Sequence, residues 1–273
     1  MGRSRWRHLP AALACAILLA PIVYMVAGSL RQAGLPPPRS PELVPSPVAW
    51  ENYERAFELV DIPRYALNSL LVAALAVPLS VLFASWAGFA ISRLPSRQRT
   101  ALLAASLAAL MVPVTALLVP RFVLFKQLGL IDTYVPLIAP ALIGMSPFYV
   151  LLFYWAFGRI PEELYEAARL EGLNPFQTWR RVAMPLVKPV TLAVGLLAFV
   201  FTWSNFLDPL IYLFDQERFT LPLGLKLLAQ LDPQNFPLLL AGAVAATAPV
   251  VAAFLVAQRF FLAGYRPASW FSR

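Results

Sequence analysis

Six long apolar runs recur along the chain, and they constrain its fold more than any other feature. A helix needs roughly 20 apolar residues to cross a hydrocarbon core of ~30 Å, and each run approaches or exceeds that length. The sequence therefore predicts an all-α polytopic membrane protein with six transmembrane helices, at residues 9–30, 66–91, 101–119, 135–157, 189–213 and 237–261.

The composition supports a membrane protein and excludes several kinds of site. Only 13% of the residues are charged, whereas about 25% is usual in soluble domains. Cys15 is the only cysteine and His8 the only histidine. An internal disulfide, a cysteine metal cluster and a histidine-based triad are therefore not expected. We expect no metal site and no cofactor bound by this chain.

The net charge of +8 raises the question of a nucleic-acid partner. The arginines lie at the ends of apolar runs rather than on one face, which is typical of a membrane-orientation signal. With six spans and the N-terminus inside, the inner segments hold 14 of the 22 basic residues but only four of the 14 acids. This bias predicts N-in/C-in topology in a plasma membrane, with lipid and not nucleic acid as a partner.

The first run also has features of a secretory signal. Three arginines precede it, at positions 3, 5 and 7, and it ends in the small residues Ala27-Gly28-Ser29. Its apolar stretch is longer than the ~7–15 residues of a signal core. We expect a retained first helix, with cleavage as the alternative.

Two segments outside the membrane are long enough to have structure of their own. In residues 31–64, LPPPRSPELVPSP predicts extended chain and WENYERAFELV a short amphipathic helix at the interface. Residues 214–236 are either a connector or a surface that contacts a partner or solute. The predicted organisation is an N-terminal part at 1–65, a transmembrane domain at 66–261 and a cytoplasmic tail at 262–273.

The chain lacks the usual signs of catalysis or ion coupling. No G-x-x-x-x-G-K-[ST] loop is present to bind nucleotide phosphates. Asp208, near the outer end of the fifth span, is the only ionisable candidate for ion coupling, and its neighbours favour a helix end instead. The adjacent Glu162 and Glu163 are explained by the macrodipole at a helix start. We expect a protein that is not an enzyme; a self-sufficient six-helix channel or carrier is the alternative class.

The cytoplasmic segment 158–188 contains EAARLEGLNPFQTWRRVAMP, the most polar stretch of the chain. Pro161 fits the first position of a helix, and Gly172 the left-handed residue after its end. Asn174 is placed to cap a second helix with Gln177 three residues later. Pro185 is expected to close that helix.

The second helix presents Phe176, Trp179 and Ala183 on one face. Exposed aromatic side chains need an apolar cover, which is either the ends of the protein's own spans or a second protein. Glu166 also lies three residues before Arg169, so a simple surface ion pair is an alternative role for it.

The spacing of this stretch resembles the EAA loop of ABC importer permeases, EAA-x3-G-x9-I-x-L-P. Only Val182 and Met184 depart from that pattern, and both changes are conservative. WENYERAF, LFKQLGLIDTY and WSNFLDPLIYL resemble further segments of the carbohydrate-importer branch, in particular the shorter six-span permease of maltose-type systems. The resemblance covers about residues 9–264.

The resemblance implies a type I ABC importer fold, a five-helix core with its coupling loop at 158–188. Glu166 would anchor the contact with an ATP-binding subunit, Ala167 and Ala168 would permit close approach, and Gly172 would make the turn. The full implied contact set is Glu166, Ala167, Ala168, Gly172, Phe176 and Pro185. A weaker implication is a substrate pathway at Trp203, Asn205 and Asp208.

The resemblance also implies partners that this chain does not contain. They are a longer permease, a dimer of ATP-binding subunits that use ATP and Mg, and an extracytoplasmic solute-binding protein. The implied solute is a sugar or oligosaccharide. Glycerol-phosphate esters, polyamines and oxyanions are the alternatives within the same class of importer.

Overall fold

The structure is a computed structural model that describes residues 5–38 and 42–264, and every regular element within those ranges is helical. The α-helices are α1 (Arg5–Ser29), α2 (Glu51–Leu59), α3 (Ile62–Arg93), α4 (Ser96–Leu110), α5 (Leu118–Gln127), α6 (Val135–Ile138), α7 (Pro147–Gly158), α8 (Glu162–Leu170), α9 (Pro175–Thr178), α10 (Met184–Leu186), α11 (Lys188–Trp203), α12 (Leu207–Tyr212), α13 (Leu221–Leu231) and α14 (Phe236–Gly264). Short 3₁₀ helices lie at Val114–Leu117, Ala139–Ile143 and Gln216–Arg218, and a π-helix at Trp179–Ala183. The all-α prediction is confirmed for the described residues.

Four helical stretches are long and apolar enough to cross a membrane: Ala12–Ser29, Ile62–Arg93, Val135–Gly158 and Phe236–Arg259. Two further pairs of helices qualify only if each pair is one span. These pairs are Ser96–Leu110 with Val114–Gln127 and Pro175–Leu186 with Lys188–Trp203, and each is bent by 87°. The described helices therefore provide between four and six spans.

The third and fifth apolar runs are not the unbroken helices that hydropathy predicts. In the third run α4 ends at Leu110, and Pro113 precedes a 3₁₀ turn. Proline supplies no N–H and disfavours a helical conformation for the residue before it. In the fifth run α11 ends at Trp203, and α12 begins separately at Leu207. Hydropathy locates apolar runs, whereas these breaks depend on local backbone conformation.

The chain divides into two compact units, of which the first holds the described residues up to 66 together with 220–249. Within it α2 contacts α13. The buried side-chain amide of Asn52 donates to the carbonyl oxygens of Ser29 and Arg31, at 2.8 and 2.7 Å. The helix α2 confirms the short helix predicted for WENYERAFELV, and α13 shows that residues 214–236 include a regular helix.

The second unit contains residues 67–219 and the described residues from 250 onwards. Its core includes the rings of Phe89, Phe153 and Phe157, with Phe89 and Phe157 edge to face at 5.5 Å between centroids. Gly88 permits α3 and α7 to approach closely. A Cβ at this position would lie 2.7 Å from the Phe153 Cβ and 2.8 Å from the carbonyl oxygen of Val150.

Gly88→Ala should lower thermal stability, because the new methyl group would overlap backbone atoms of α7. Overpacking of this kind costs about 1–3 kcal/mol, so we expect a lower unfolding midpoint in detergent. Gly195→Ala is the matched control, since the nearest atom to its added Cβ is Val81 Cγ2 at 3.9 Å. Equal midpoints for the two variants would contradict close packing at Gly88.

Candidate functional site

Residues 158–188 form the candidate site, and its first helix, α8, packs inward through Tyr165 and Ala168. The helix begins at Glu162 with Pro161 as its N-cap residue, one position before the place predicted for that proline. Tyr165 is 1% exposed and Ala168 5%. Ala168 therefore packs inside this chain, and it does not lie on an outer surface where a partner would approach.

A guanidinium at the end of α3 holds α8 in place. The Cζ of Arg93 lies 3.8 Å from the centre of the Tyr165 ring, and its Nη1 donates to Glu162 Oε2 at 2.7 Å. The Tyr165 hydroxyl donates to the carbonyl oxygen of Phe157 at 3.1 Å. Burial raises the pKa of Tyr165, so its hydroxyl remains a donor at physiological pH. We call this set of contacts the Arg93 clamp.

Sequence reasoning misses the Arg93 clamp. It counts Arg93 only as an orientation charge and does not single out Tyr165. The clamp joins Arg93 to Glu162 across 69 positions of sequence, so no local pattern reveals it. The one available signal is an aromatic residue inside an otherwise charged helix.

The turn after α8 has the form that Gly172 predicts. Its φ is +74°, in the left-handed region. The N–H of Gly172 donates to the carbonyl oxygen of Arg169 and that of Leu173 to Ala168, both at 3.0 Å. This pair of bonds is a Schellman motif. No atom lies within 4 Å of an added Cβ, so the backbone conformation rather than space requires glycine here.

The predicted cap of the second helix is confirmed. The Asn174 side chain accepts from the N–H of Gln177 at 2.9 Å, and the Gln177 Oε1 accepts from the N–H of Asn174 at 3.0 Å. Pro175 occupies the first helical position, where its missing N–H has no cost. Together Gly172 and Asn174 fix a tight turn between α8 and α9.

The prediction that Pro185 closes the second helix is wrong. The helix passes through a π-helical turn at Trp179–Ala183 and continues through Pro185 in α10. The Met184 N–H donates to the carbonyl oxygen of Trp179, five residues back. This wider turn accommodates a proline ring that would otherwise clash with the preceding turn. The break comes later, at Val187 (φ −102°, ψ 21°).

The aromatic face of the second helix is covered mainly by the chain itself. Trp179 and Ala183 are buried. The ring centroid of Trp86, on α3, lies 5.6 Å from that of Trp179 and 6.1 Å from that of Phe176. Of the two covers that the sequence leaves open, the protein's own span accounts for Trp179 and Ala183. Phe176 remains 51% exposed.

The outer face of α8 is free within the part of the chain that the structure describes. Glu166 and Ala167 are exposed there, and Leu170 is 90% exposed. Arg169 pairs with Glu162 at 3.7 Å and not with Glu166. Glu166 makes no hydrogen bond or ion pair with another described residue. A free carboxylate beside an uncovered leucine is typical of a surface that another protein covers.

The three residues implied in a substrate pathway contact other residues of this chain, through ring stacking, a hydrogen bond and an ion pair. Trp203 is buried and stacks on Phe199 at 5.6 Å. Asn205 Nδ2 donates to Asp208 Oδ2 at 2.9 Å, and Asp208 Oδ1 lies 3.3 Å from Nη1 of Arg121 on α5. The structure therefore brings Asn205 and Asp208 together at the start of α12. Sequence reasoning places Arg121 only among the outer basic residues and misses this ion pair.

Asp132 orders the segment that follows α12. Its Oδ1 accepts from the N–H groups of Phe214 and Asp215, at 3.0 and 3.1 Å, and Arg218 contacts its carboxylate and its carbonyl oxygen. Burial acts to raise the pKa of Asp132, but the two N–H donors and Arg218 outweigh it and lower the pKa. The resulting stabilisation is present above the ordinary aspartate pKa and is lost as the pH falls through the lowered value.

Comparison with known proteins identifies a family and several relatives. Residues 60–265 match the family described as binding-protein-dependent transport system inner membrane component. The arabinooligosaccharides transport system permease protein AraQ of Bacillus subtilis is 32% identical over 91% of this chain and 89% of its own length. The protein of the same name from Halalkalibacterium halodurans is 36% identical over 72% and 70%. The lactose transport system permease protein LacG of Rhizobium radiobacter is 28% identical over 93% and 91%.

A solved structure has a similar fold. It is a bacterial ABC transporter involved in the import of the acidic polysaccharide alginate. One of its chains matches with a TM-score of 0.74 and 22% identity, over 96% of this chain and 99% of that one. At this identity the likeness establishes the fold.

Asp208→Asn should destabilise the protein strongly, because it leaves the part-buried Arg121 without its carboxylate. Breaking a buried pair from one side costs about 3–5 kcal/mol. Asp61→Asn is the control, since the Asp61–Arg64 pair is about half exposed and exposed pairs contribute about 0–1 kcal/mol. Unfolding midpoints in detergent measure both.

The double variant Arg121→Met/Asp208→Leu separates a structural role from a pathway role. It removes both charges, so we expect most of the lost stability to return. Restored stability with normal uptake would identify the pair as structural. Restored stability with abolished uptake would assign it to the solute pathway.

Proposed function

Since this chain belongs to the family of binding-protein-dependent transport system inner membrane components, we propose that it is the permease subunit of an ATP-driven importer for a sugar or oligosaccharide. It is a multi-pass protein of the bacterial inner membrane and a transport permease. In this assignment it translocates the solute by alternating access, the rigid-body switching of a pair of permeases. ATP hydrolysis belongs to a separate subunit.

We assign six spans with both termini in the cytoplasm. The four stretches that qualify singly provide four spans, α4 with α5 provides another, and α11 provides the last. The distribution of basic residues supports this orientation, because it puts residues 158–188 on the positively charged side. The five helices after the first are the transmembrane core.

The single observation that carries the coupling role is the contrast between the two faces of α8. Its inner face is fixed to the end of α3 by the Arg93 clamp. Its outer face leaves Glu166 and Leu170 uncovered. A helix held rigidly on one side and free on the other transmits a push from a partner. We propose that this partner is the ATP-binding subunit, with Leu170 as the apolar contact and Glu166 as the charged one.

The structure leads us to revise the set of residues that the EAA pattern implies in the contact with the ATP-binding subunit. Glu166 and Ala167 lie on the exposed face and are retained, and Leu170 is added. Gly172 acts through its turn, and the half-exposed Phe176 extends the surface toward the second helix. Ala168 is reassigned to internal packing. Pro185 is exposed but lies beyond the π-helical turn, so we place it at the edge of the contact.

Three kinds of partner complete the proposed importer. They are a second, longer permease, a dimer of ATP-binding subunits that use ATP and Mg, and a solute-binding protein outside the membrane. The segment ordered by Asp132 is the surface that we assign to the solute-binding protein. One structurally similar alginate transporter is known in complex with an oligosaccharide-bound periplasmic protein.

The proposed solute is a sugar or oligosaccharide. The supporting relatives carry names for arabinooligosaccharide, lactose and trehalose transport. Within the described residues of the fifth run, the polar groups of Asn205 and Asp208 are bonded to each other or to Arg121. We therefore assign them to the frame of the pathway, and we assign solute selection largely to the partner permease and the binding protein.

Glu166→Lys should abolish uptake without loss of the protein from the membrane, because the side chain of Glu166 pairs with no residue in the described part of the chain. Leu170→Glu should act in the same way by placing a charge in an apolar contact. We expect uptake to fall by at least tenfold, about 1.4 kcal/mol of lost interaction. Glu58→Lys is the control: it makes the same charge change at an exposed site on α2, outside the cytoplasm in the assigned topology. Normal uptake in Glu166→Lys and Leu170→Glu would contradict the coupling role.

A sugar panel tests the solute class. Cells lacking this gene should lose uptake of one labelled sugar among arabinose oligosaccharides, lactose, raffinose and trehalose, and the wild-type gene should restore it. Glycerol 3-phosphate, spermidine and sulfate serve as the comparison solutes. Loss of uptake of one of these alone would contradict the sugar assignment. Uptake that persists after deletion of the gene for the partner ATP-binding subunit would favour a self-sufficient carrier.

A further inference from the structure

A polar cleft of about 420 Å³ lies beside the Arg93 clamp, and Glu162 and Arg169 line it from α8. Four helix ends bound it: the end of α3, the start of α4, the end of α7 and the start of α8. The charged residues that line it are Arg93, Arg99, Glu162 and Arg169. Neither the EAA pattern nor the proposed coupling contact uses Arg99.

The cleft carries a positive charge that its own residues do not neutralise. Glu162 is the one carboxylate among the residues that line it, and it already pairs with Arg93 at 2.7 Å and with Arg169 at 3.7 Å. The half-buried Arg99 side chain makes no ion pair or hydrogen bond with another described residue. Two helix starts and two helix ends meet here, so their partial charges of about half a unit each cancel. Three guanidinium groups and one carboxylate leave two positive charges.

The surroundings place this cleft at the boundary between hydrocarbon and headgroups. Tyr154 lines the cleft, and the next residue of α7, Trp155, is 52% exposed. Tyrosine and tryptophan concentrate at this depth of a membrane. On the other side α4 buries none of its residues in this chain, and its leucines 102, 107 and 110 are exposed. A ligand in the cleft therefore has apolar helix surface beside it and cytoplasm beneath it.

We propose that this cleft binds the phosphate group of an anionic phospholipid from the cytoplasmic leaflet. Guanidinium groups bind phosphate oxygens through paired, charge-assisted hydrogen bonds. Basic pockets between transmembrane helices on the cytoplasmic side are suited to lipid headgroups. The apolar surface of α4 favours a phosphate that carries acyl chains over free phosphate. The inference rests on the proposed orientation of residues 158–188, and it does not depend on the identity of the solute.

A bound headgroup would affect the coupling loop directly. Arg93 and Arg169 would then contact both the lipid phosphate and Glu162, which is the first residue of α8. The lipid would add contacts to the Arg93 clamp on its membrane side. The composition of the inner leaflet would in this way influence how firmly α8 is held.

Arg99→Gln tests the proposal, because among the described residues Arg99 has no side-chain partner whose loss would unfold the protein. The full-length chain in neutral detergent is titrated with short-chain phosphatidylglycerol, with phosphatidylcholine of equal chain length and with inorganic phosphate. Native mass spectrometry reads the binding. We expect phosphatidylglycerol to bind more tightly than phosphatidylcholine, and Arg99→Gln to weaken it about fivefold, the effect of one basic residue at a membrane surface.

Arg97→Gln is the matched control, since Arg97 is exposed two positions earlier and does not line the cleft. It should leave phosphatidylglycerol binding nearly unchanged, and Arg99→Lys should retain most of it. Equal losses in Arg97→Gln and Arg99→Gln would overturn the site, as would equal binding of the two lipids. Inorganic phosphate bound as tightly as phosphatidylglycerol would overturn the lipid as its source. The binding measurement needs neither ATP nor a partner subunit, so its outcome is distinguishable from that of the uptake test of the coupling role.

Discussion

Backbone N–H and C=O groups in hydrocarbon have no water to bond, and most of this structure follows from that constraint. Every described regular element is helical, because a helix satisfies its own backbone. Irregular backbone at membrane depth is tolerated where protein surrounds it. The break at Gly144, with φ +78°, obeys this rule because it packs against α3. A Cβ added to Gly144 would lie 3.2 Å from the backbone of Ala84.

The need to satisfy backbone N–H and C=O groups also explains how the polar segment 158–188 is held beside apolar helices. The Schellman turn at Gly172 and the capping box at Asn174 satisfy the ends of α8 and α9 locally. The side chains of α8 are therefore not needed to cap the helix, and its two faces make different contacts. Tyr165 and Ala168 attach it to the core, and Glu166 and Leu170 remain outside. In the proposed coupling role, a push on the outer face would reach Arg93, the last residue of a 32-residue helix, through a guanidinium–ring contact of 3.8 Å.

Local signals in the sequence predicted local structure well. Gly172 and Asn174 each act over a few residues, and the structure confirms both. The apolar runs predicted helices, but hydropathy is insensitive to backbone conformation and missed the break after Leu110; the helix end after Trp203 was indicated only by the neighbours of Asp208. Pro185 was misread because the rule that proline ends a helix assumes α-geometry. The Arg93 and Arg121 contacts join distant parts of the chain, so no short pattern encodes them.

The π-helical turn at Trp179–Ala183 has a consequence for register. A wider turn amounts to one residue inserted into an α-helix, and one residue corresponds to about 100° of rotation. The side chains of Met184 to Leu186 therefore point in directions that an unbroken α-helix would give to their neighbours. The π-helical turn therefore rotates the side chains between it and the start of α11 about the helix axis, relative to the aromatic face at Phe176. The length of this turn, and not only its side chains, therefore sets the direction in which the residues after it point.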